Sequence, residues 1–262
     1  MKVLFTCGGT AGHINPALGV AGRIRELIPE SEILFVGAEG HMETELVPRE
    51  GYPLETVRIE GFQRSLKPKM ILRNLKTAGL LAESLRKSRR IIREFRPDVA
   101  VGTGGYVCYP VLRSASAMGI PTCVHESNAV PGLTTRLLES RVDRILVGLE
   151  ESRGYYKDPS KVKLTGTPVR VAFRDADKAR ARRELGLPAD QPIVLAVFGS
   201  LGAGDVNRIM EELIARMGPE PPFRLIYATG KRYYEDVSAA LAARGLTSPL
   251  IDLREYIYDM PK

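Results

Sequence analysis

The chain is poor in the residues that carry the commonest chemistries. Cys7, Cys108 and Cys123 are an odd set without metal-ligand spacing, so a disulfide framework is excluded and reduced structural thiols are expected. Histidine occurs three times, as His13, His41 and His125. No run reaches the roughly 18 uninterrupted apolar residues of a membrane span. The N-terminus carries one lysine and then glycines where a secretory leader has its apolar stretch, so a cytoplasmic location is expected. The dinucleotide fingerprint Gly-x-Gly-x-x-Gly and the phosphate loop ending in Gly-Lys-Ser/Thr are both missing from the glycine-rich stretches. Hydrophobic residues make up 44% and charged residues 26%, which excludes a disordered or fibrous chain. A length of 262 residues accommodates one large domain or two modest ones.

What is present centres on Thr6-Cys-Gly-Gly-Thr-Ala-Gly-His13. Before it, Val3 to Phe5 has the β-branched and aromatic content of a buried strand. After it, Pro16 onward has a helical pattern with Leu18, Ala21, Ile24 and Leu27 on one face. Strand, glycine turn and helix open a nucleotide-binding unit. Gly8, Gly9 and Gly12 allow close backbone approach, and the N–H groups at the helix start suit a phosphate.

Strand-like runs recur near residues 32, 54, 98, 120, 143 and 162, with helical patterns over 41–50, 70–95, 107–118 and 131–139 between them. This alternation predicts an α/β fold with a parallel sheet covered on both faces. A charged stretch, Arg170 to Glu184, reads as a linker, and the pattern then restarts. Pro192 to Phe198 is a strong strand, and Phe198-Gly-Ser-Leu-Gly-Ala-Gly204 is a second glycine turn before a helix. Two similar doubly wound units are expected, over 1–170 and 171–262, the second with only three strands and reading as half a domain.

Between Arg64 and Arg96 stand eleven basic residues against two acidic ones, a local excess of +9 that exceeds the +7 of the whole chain. Met70, Ile71, Leu72, Leu75, Leu80 and Leu81 lie in the same segment. One reading is a basic, apolar helix for an anionic membrane surface, with Arg86, Arg89, Arg90 and Arg93 as its charges. The other is a helix packed on the sheet with a solvated basic face. Nucleic acid is not expected, because no binding motif accompanies the charge.

Six motifs then carry a family resemblance: Gly8-Gly-Thr-Ala-Gly-His-Ile-Asn-Pro-Ala17, Gly102-Thr-Gly-Gly-Tyr-Val107, His125-Glu-Ser-Asn128 with Gly132-Leu-Thr134, Gly166-Thr-Pro-Val-Arg170, Gly199-Ser-Leu-Gly-Ala203 and Glu255-Tyr-Ile-Tyr-Asp-Met260. In order and spacing the whole chain resembles the MurG family, the N-acetylglucosaminyltransferases of bacterial cell-wall synthesis. The resemblance implies a GT-B architecture of two Rossmann-like domains at the cytoplasmic face of the membrane. It further implies metal-independent transfer, with inversion and no cofactor, of N-acetylglucosamine from its UDP donor to lipid I, giving lipid II.

Carried over residue by residue, the resemblance places Thr10, Ala11, Gly12 and Asn128 at the sugar-nucleotide, Arg170 and Ser200 at the donor pyrophosphate, and Ile257 and Tyr256 at the uracil. Gly8, Gly9, Gly104, Gly105 and Tyr106 fall in loops against acceptor and phosphate. His13 is the candidate base, since an imidazole at a helix N-terminus favours its neutral, proton-accepting form; the alternative is a helix-capping histidine. His125 and Glu126 follow a strand and could orient substrate; the preferred reading of His125 is a satisfied histidine near the core, and His41 has no role. Asp175-Ala-Asp177, the lone Asp-x-Asp, reads as solvated rather than metal-binding.

Thr167, Leu201 and Gly204 depart from the family's Asn, Gln and Arg. The family's ribose-holding acid and sugar-reading segment beyond Met260 are also lacking, so a fragment, or a chain completed by a second polypeptide, is expected. Two other readings stay open. One is a binding module that presents a lipid-linked acceptor to a donor-binding subunit. The other is a nucleotide-dependent oxidoreductase, disfavoured because Glu39 follows a glycine in a loop where an acidic ribose reader would end the second strand.

Overall fold

A computed structural model describes residues 1–61, 68–174, 176–199, 202–218, 220–258 and 260, with the side chains of 68–73 and 75 also outside the description. The chain forms two compact units, Met1–Val171 and Ala172–Lys262.

In the first unit the elements run β1 (Lys2–Thr6), α1 (Ala11–Leu27), β2 (Glu32–Ala38), α2 (Glu43–Arg49), β3 (Leu54–Val57), α3 (Pro68–Phe95), β4 (Val99–Gly102), α4 (Cys108–Ala117), β5 (Thr122–Glu126), α5 (Leu133–Leu138), β6 (Arg144–Val147) and β7 (Val162–Leu164). The strands form one sheet in the order β3-β2-β1-β4-β5-β6-β7, and every pairing is parallel. The chain leaves β1 in one direction, through β2 to β3, then returns to place β4 on the other side of β1. The end of β1 beside the end of β4 is therefore a topological switch point, the position where open α/β sheets take ligand.

The central strand is apolar on both faces, as a strand buried on both sides must be. Val3 and Phe5 pack with Ile14, Ala17 and Leu18 of α1 and Val47 of α2, whereas Leu4 faces Ile91 and Ile92 of α3 and Val111 and Leu112 of α4. Phe5 stacks on Phe35 at 5.1 Å between centroids, and Phe35 meets Tyr52 at 5.2 Å. Such pairs contribute about 0.5–1.5 kcal/mol each beyond their buried area.

The second unit holds α6 (Lys178–Glu184), β8 (Ile193–Val197), α7 (Gly204–Met217), β9 (Arg224–Ala228), α8 (Tyr234–Ala243) and β10 (Ile251–Arg254). Its sheet is parallel in the order β10-β9-β8. Ile214, Leu225 and Tyr227 are completely buried in its core, while Val194, Leu195 and Val197 of β8 are exposed. This repeats the order β3-β2-β1 of the first unit.

Three sequence expectations need correction. Helix α1 starts at Ala11, so Ala11, Gly12 and His13 form its first turn, and Leu27 is solvent-exposed at its last turn rather than on the core face. The stretch read as a linker contains α6. It is built of good helix formers without an apolar stripe, so periodicity gave no signal; Asp177 caps it by accepting from the Arg180 N–H, and Arg180 pairs with Glu184 at 2.7 Å. Asp177 is thus a helix cap, while Asp175 lies outside the described residues. Finally, the strand expected near residue 120 starts at Thr122 and ends at Glu126, which puts Glu126 at its carboxyl end.

Candidate active site

Two glycine turns meet at the switch point of the first unit. The Gly8 N–H donates to the Gly104 carbonyl at 3.2 Å, and a Cβ at Gly105 would lie 2.3 Å from the Gly8 carbonyl oxygen, so only glycine permits this approach. Cys108, at the start of α4, fastens both turns. Its Sγ lies 3.1 Å from the Thr6 carbonyl and 3.0 Å from the Gly104 carbonyl, and it accepts from the Gly104 N–H at 3.3 Å. Burial pushes the Cys108 thiol up to about 12 and that of Cys123 to about 11, so both stay protonated. Cys7 is raised by burial as well.

His13 sits in the first turn of α1, half-buried, with its ring against Gly104; a Cβ there would lie 2.2 Å from His13 Nδ1. The Thr103 hydroxyl donates to the His13 backbone carbonyl at 2.6 Å, and the Thr103 backbone favours the protonated ring. Burial is the main influence on the imidazole and lowers its pKa, with Glu126, the Thr103 bond and Glu43 opposing. The ring is therefore neutral near pH 7 and able to accept a proton. Helix capping does not account for it: the cap position belongs to Thr10, whose carbonyl accepts from the His13 and Ile14 N–H groups and whose hydroxyl makes no capping bond.

The Gly8 and Gly9 N–H groups are engaged within the protein, to Gly104 and to Glu43 respectively. Ala11 and Gly12 hold the first two helical positions, where N–H groups have no intrahelical acceptor.

Glu126 is 4% exposed and accepts four hydrogen bonds, from the Asn128 N–H (3.0 Å), Asn128 Nδ2 (2.7 Å), the Gly132 N–H (2.9 Å) and Thr135 Oγ1 (2.8 Å). Burial raises its pKa, but these bonds outweigh burial and hold it below the usual carboxylate range. Glu126 thus orients Asn128, which is exposed and has its amide nitrogen committed, and it ties the start of α5 to β5. His125 is 2% exposed and shares a 2.9 Å hydrogen bond with the Gly166 carbonyl through Nε2, so it is a satisfied buried histidine. His41 is exposed.

Tyr106 is 57% exposed, its ring against Gly61. Arg170 pairs with Glu50 of the α2 end at 2.8 Å, and the preceding Val169 carbonyl lies where a Cβ on Gly19 of α1 would stand 2.8 Å away. In the second unit, Gly199 and Gly202 flank the second turn with positive φ; Ser200 and Leu201, within that turn, lie outside the described residues. Gly204 opens α7. Tyr256 and Tyr258 meet edge to face at 4.7 Å with half-buried Ile257 between them in sequence, and Lys231 Nζ lies 5.6 Å above the Tyr258 ring.

On α3, Thr77, Ser84, Ser88, Ile91 and Ile92 are buried, and Arg86, Arg89, Arg90 and Arg93 all face solvent. The helix is therefore packed on the fold with a basic outer face. Ile91 and Ile92 belong to the core, while Arg64 and Lys67 lie outside the described residues. Among the described residues no helix is long and apolar enough to cross a membrane.

Sequence reasoning missed Glu43, a completely buried carboxylate at the first turn. The available signal was an acid four residues before Val47 on the buried face of a short helix.

Comparison with known proteins places this geometry. Residues 3–147 match the glycosyltransferase family 28 N-terminal domain. The UDP-N-acetylglucosamine–N-acetylmuramyl-(pentapeptide) pyrophosphoryl-undecaprenol N-acetylglucosamine transferase of Acetivibrio thermocellus is 43% identical over 260 residues, 99% of this chain and 69% of that protein. The protein of the same name from Listeria welshimeri is 39% identical over 262 residues, 100% of this chain and 70% of that one. Among solved structures, Acinetobacter baumannii MurG superposes with a TM-score of 0.61 at 23% identity, covering 99% of this chain and 69% of that chain. A Neisseria meningitidis UDP-GlcNAc 2-epimerase bound to UDP-GlcNAc gives 0.59 at 13% identity, covering 100% and 73%. These two likenesses speak for the fold, which is GT-B, as the sequence led us to expect. At the identity and coverage of the two transferases, the chain belongs to the MurG family of N-acetylglucosaminyltransferases.

Proposed function

We propose that the chain transfers N-acetylglucosamine from UDP-N-acetylglucosamine to the muramyl sugar of undecaprenyl-pyrophosphoryl-muramyl-pentapeptide, lipid I, forming lipid II. The observation that carries this reading is His13: an imidazole held neutral by burial, in the first turn of α1 at the switch point of the first unit's sheet. An acceptor hydroxyl attacks the anomeric carbon of the donor while His13 takes its proton. The bond from that carbon to the UDP oxygen breaks, UDP leaves with the electron pair, and the configuration inverts. A positioned base of this kind contributes typically 10²–10⁴-fold.

The first unit takes the acceptor. The first-turn amides of Ala11 and Gly12, with the Thr10 hydroxyl, face the sugar-nucleotide, and Asn128 presents its amide oxygen because Glu126 holds its nitrogen. The second unit takes the donor, with Ser200 at the pyrophosphate, the Ile257 backbone at uracil and Tyr256 against the base. Arg170 joins the pyrophosphate by exchanging Glu50 for phosphate, a partner that a forked guanidinium suits. Charge on the leaving diphosphate is offset by amides and arginine, with no cofactor.

The basic outer face of α3 holds the protein peripherally on an anionic membrane surface, at its cytoplasmic face. The test of the function is twofold: calorimetric titration with UDP-N-acetylglucosamine, and transfer of radiolabelled sugar to a lipid I analogue. Donor-dependent formation of the disaccharide is expected. Donor binding without transfer, even with lipid I present, would overturn the reading.

A further inference from the structure

Glu43 is completely buried, and the transfer chemistry described above does not use it. Its Oε1 accepts from the Ala38 N–H at 2.8 Å, at the end of β2, and its Oε2 accepts from the Gly9 N–H at 3.0 Å, in the first glycine turn. Two glycines make room for it: a Cβ at Gly8 would lie 2.2 Å from Glu43 Oε1, and a Cβ at Gly37 would lie 2.5 Å from Glu43 Cγ. A carboxylate this deep is costly unless its oxygens are bonded, and here each oxygen holds one backbone amide from a different strand end. The carboxylate thus occupies, from inside, an amide of the first glycine turn.

We propose that Glu43 is a positioning residue for the transfer reaction, an internal anion that locks the first glycine turn against β2 and sets the electrostatic surroundings of His13. The lock fixes the point from which α1 starts, and so the direction in which the Ala11 and Gly12 amides and the His13 ring are presented. The charged groups acting on His13 are Glu126 from β5 and Glu43 from α2. The Thr103 backbone also favours the protonated ring, and Cys108 of α4 behind it is a protonated thiol. Both carboxylates oppose the effect of burial on the ring, which makes His13 a stronger base than burial alone would leave it. This step rests on the reading of His13 as the base, but its consequences are measurable without turnover.

The chain has three histidines, so each imidazole can be followed by nitrogen-15 NMR, with His13 assigned by its loss in His13→Ala. In Glu43→Gln the shape is retained, the charge is lost, and an amide N–H₂ faces a backbone N–H in place of an acceptor. Exchange of the Gly9 amide should become at least about tenfold faster, since a protecting bond is removed. The His13 titration midpoint should move to lower pH, and single-turnover transfer should fall about tenfold with the donor KM unchanged.

A folded Glu43→Gln protein with wild-type Gly9 exchange and a wild-type His13 midpoint would overturn the proposal. If Glu43→Gln does not fold, Glu43→Asp decides it. That residue keeps the charge but is one methylene too short to reach both amides, so faster Gly9 exchange with a nearly wild-type His13 midpoint is expected, and wild-type Gly9 protection would overturn the lock. Should His13→Ala retain full activity, the base reading fails while these two NMR readouts still report on Glu43.

Discussion

The Thr103 hydroxyl donates to the backbone carbonyl of His13 at 2.6 Å, although 90 residues separate the two. A residue immediately after β4 therefore fixes the main chain of the candidate base. The base is thus positioned by the neighbouring strand as well as by its own helix.

Replacing His13 by Ala should reduce transfer by about 10²–10⁴ while donor affinity changes little. The fold should survive, because the α1 cap is Thr10 and its hydroxyl makes no capping bond. Thermal unfolding and single-turnover transfer on the same variant separate the two effects. A loss of activity explained wholly by the unfolded fraction would leave His13 a structural residue.

Acid should weaken the fold in two steps. His13 and His125 have folded pKa values below the ordinary value of about 6.5, chiefly through burial. Below that pH the unfolded chain binds protons that the folded chain does not, so stability present above about 6.5 is lost as pH falls through the folded values. Glu126 is likewise depressed by its hydrogen bonds, despite burial. Its contribution is present above about 4.3 and is lost as pH falls through its own lowered value. Urea unfolding from pH 8 to pH 3 should show both steps, and Glu126→Gln should remove the second and, by taking away a charge that raises the His13 and His125 values, extend the first to lower pH.

Arg170→Ala should weaken UDP-N-acetylglucosamine binding by roughly 10- to 100-fold, the equivalent of a charged hydrogen bond of about 1.5–3 kcal/mol. Glu50→Gln should not weaken it, because the guanidinium then has one acceptor fewer competing with phosphate. Calorimetry on both variants checks the pair. Equal weakening by the two would mean that Arg170 matters only for its contact with α2.

Vesicles containing anionic lipid should bind the chain in a salt-sensitive way through the exposed Arg86, Arg89, Arg90 and Arg93. Each basic residue near such a surface contributes about 1 kcal/mol. Changing all four to Ser should therefore reduce co-sedimentation steeply at low salt and little at high salt. Equal sedimentation of variant and wild type would place the membrane contact elsewhere.

Much of the site was legible in the sequence, and its gaps have physical causes. The glycine turns and His13 within the first of them could be named because glycine clusters between a strand and a helix are local patterns, whereas Asn128 was placed only by the family resemblance. Helix α6 was missed because Lys178 to Glu184 buries nothing, so no apolar period marks it. Glu43 was missed because its partners, Gly9 and Ala38, lie on other elements, and an acid on a short helix ordinarily faces water. The four hydrogen bonds that Glu126 accepts were not legible, since they depend on how many donors the fold aims at a carboxylate.

The order of strands and helices, the parallel class of the sheet and the restart of the pattern after Pro192 were fixed by hydrophobic period and turn chemistry, which act over a few residues and are written in the chain directly. The tertiary structure alone decided which polar groups are satisfied and which remain for chemistry. Gly9 is closed by Glu43 from 34 residues away, and Arg170 is held by Glu50 from 120. Both outcomes depend on contacts brought about by sheet order and helix packing, so no local rule reports whether an amide or a guanidinium already has its partner.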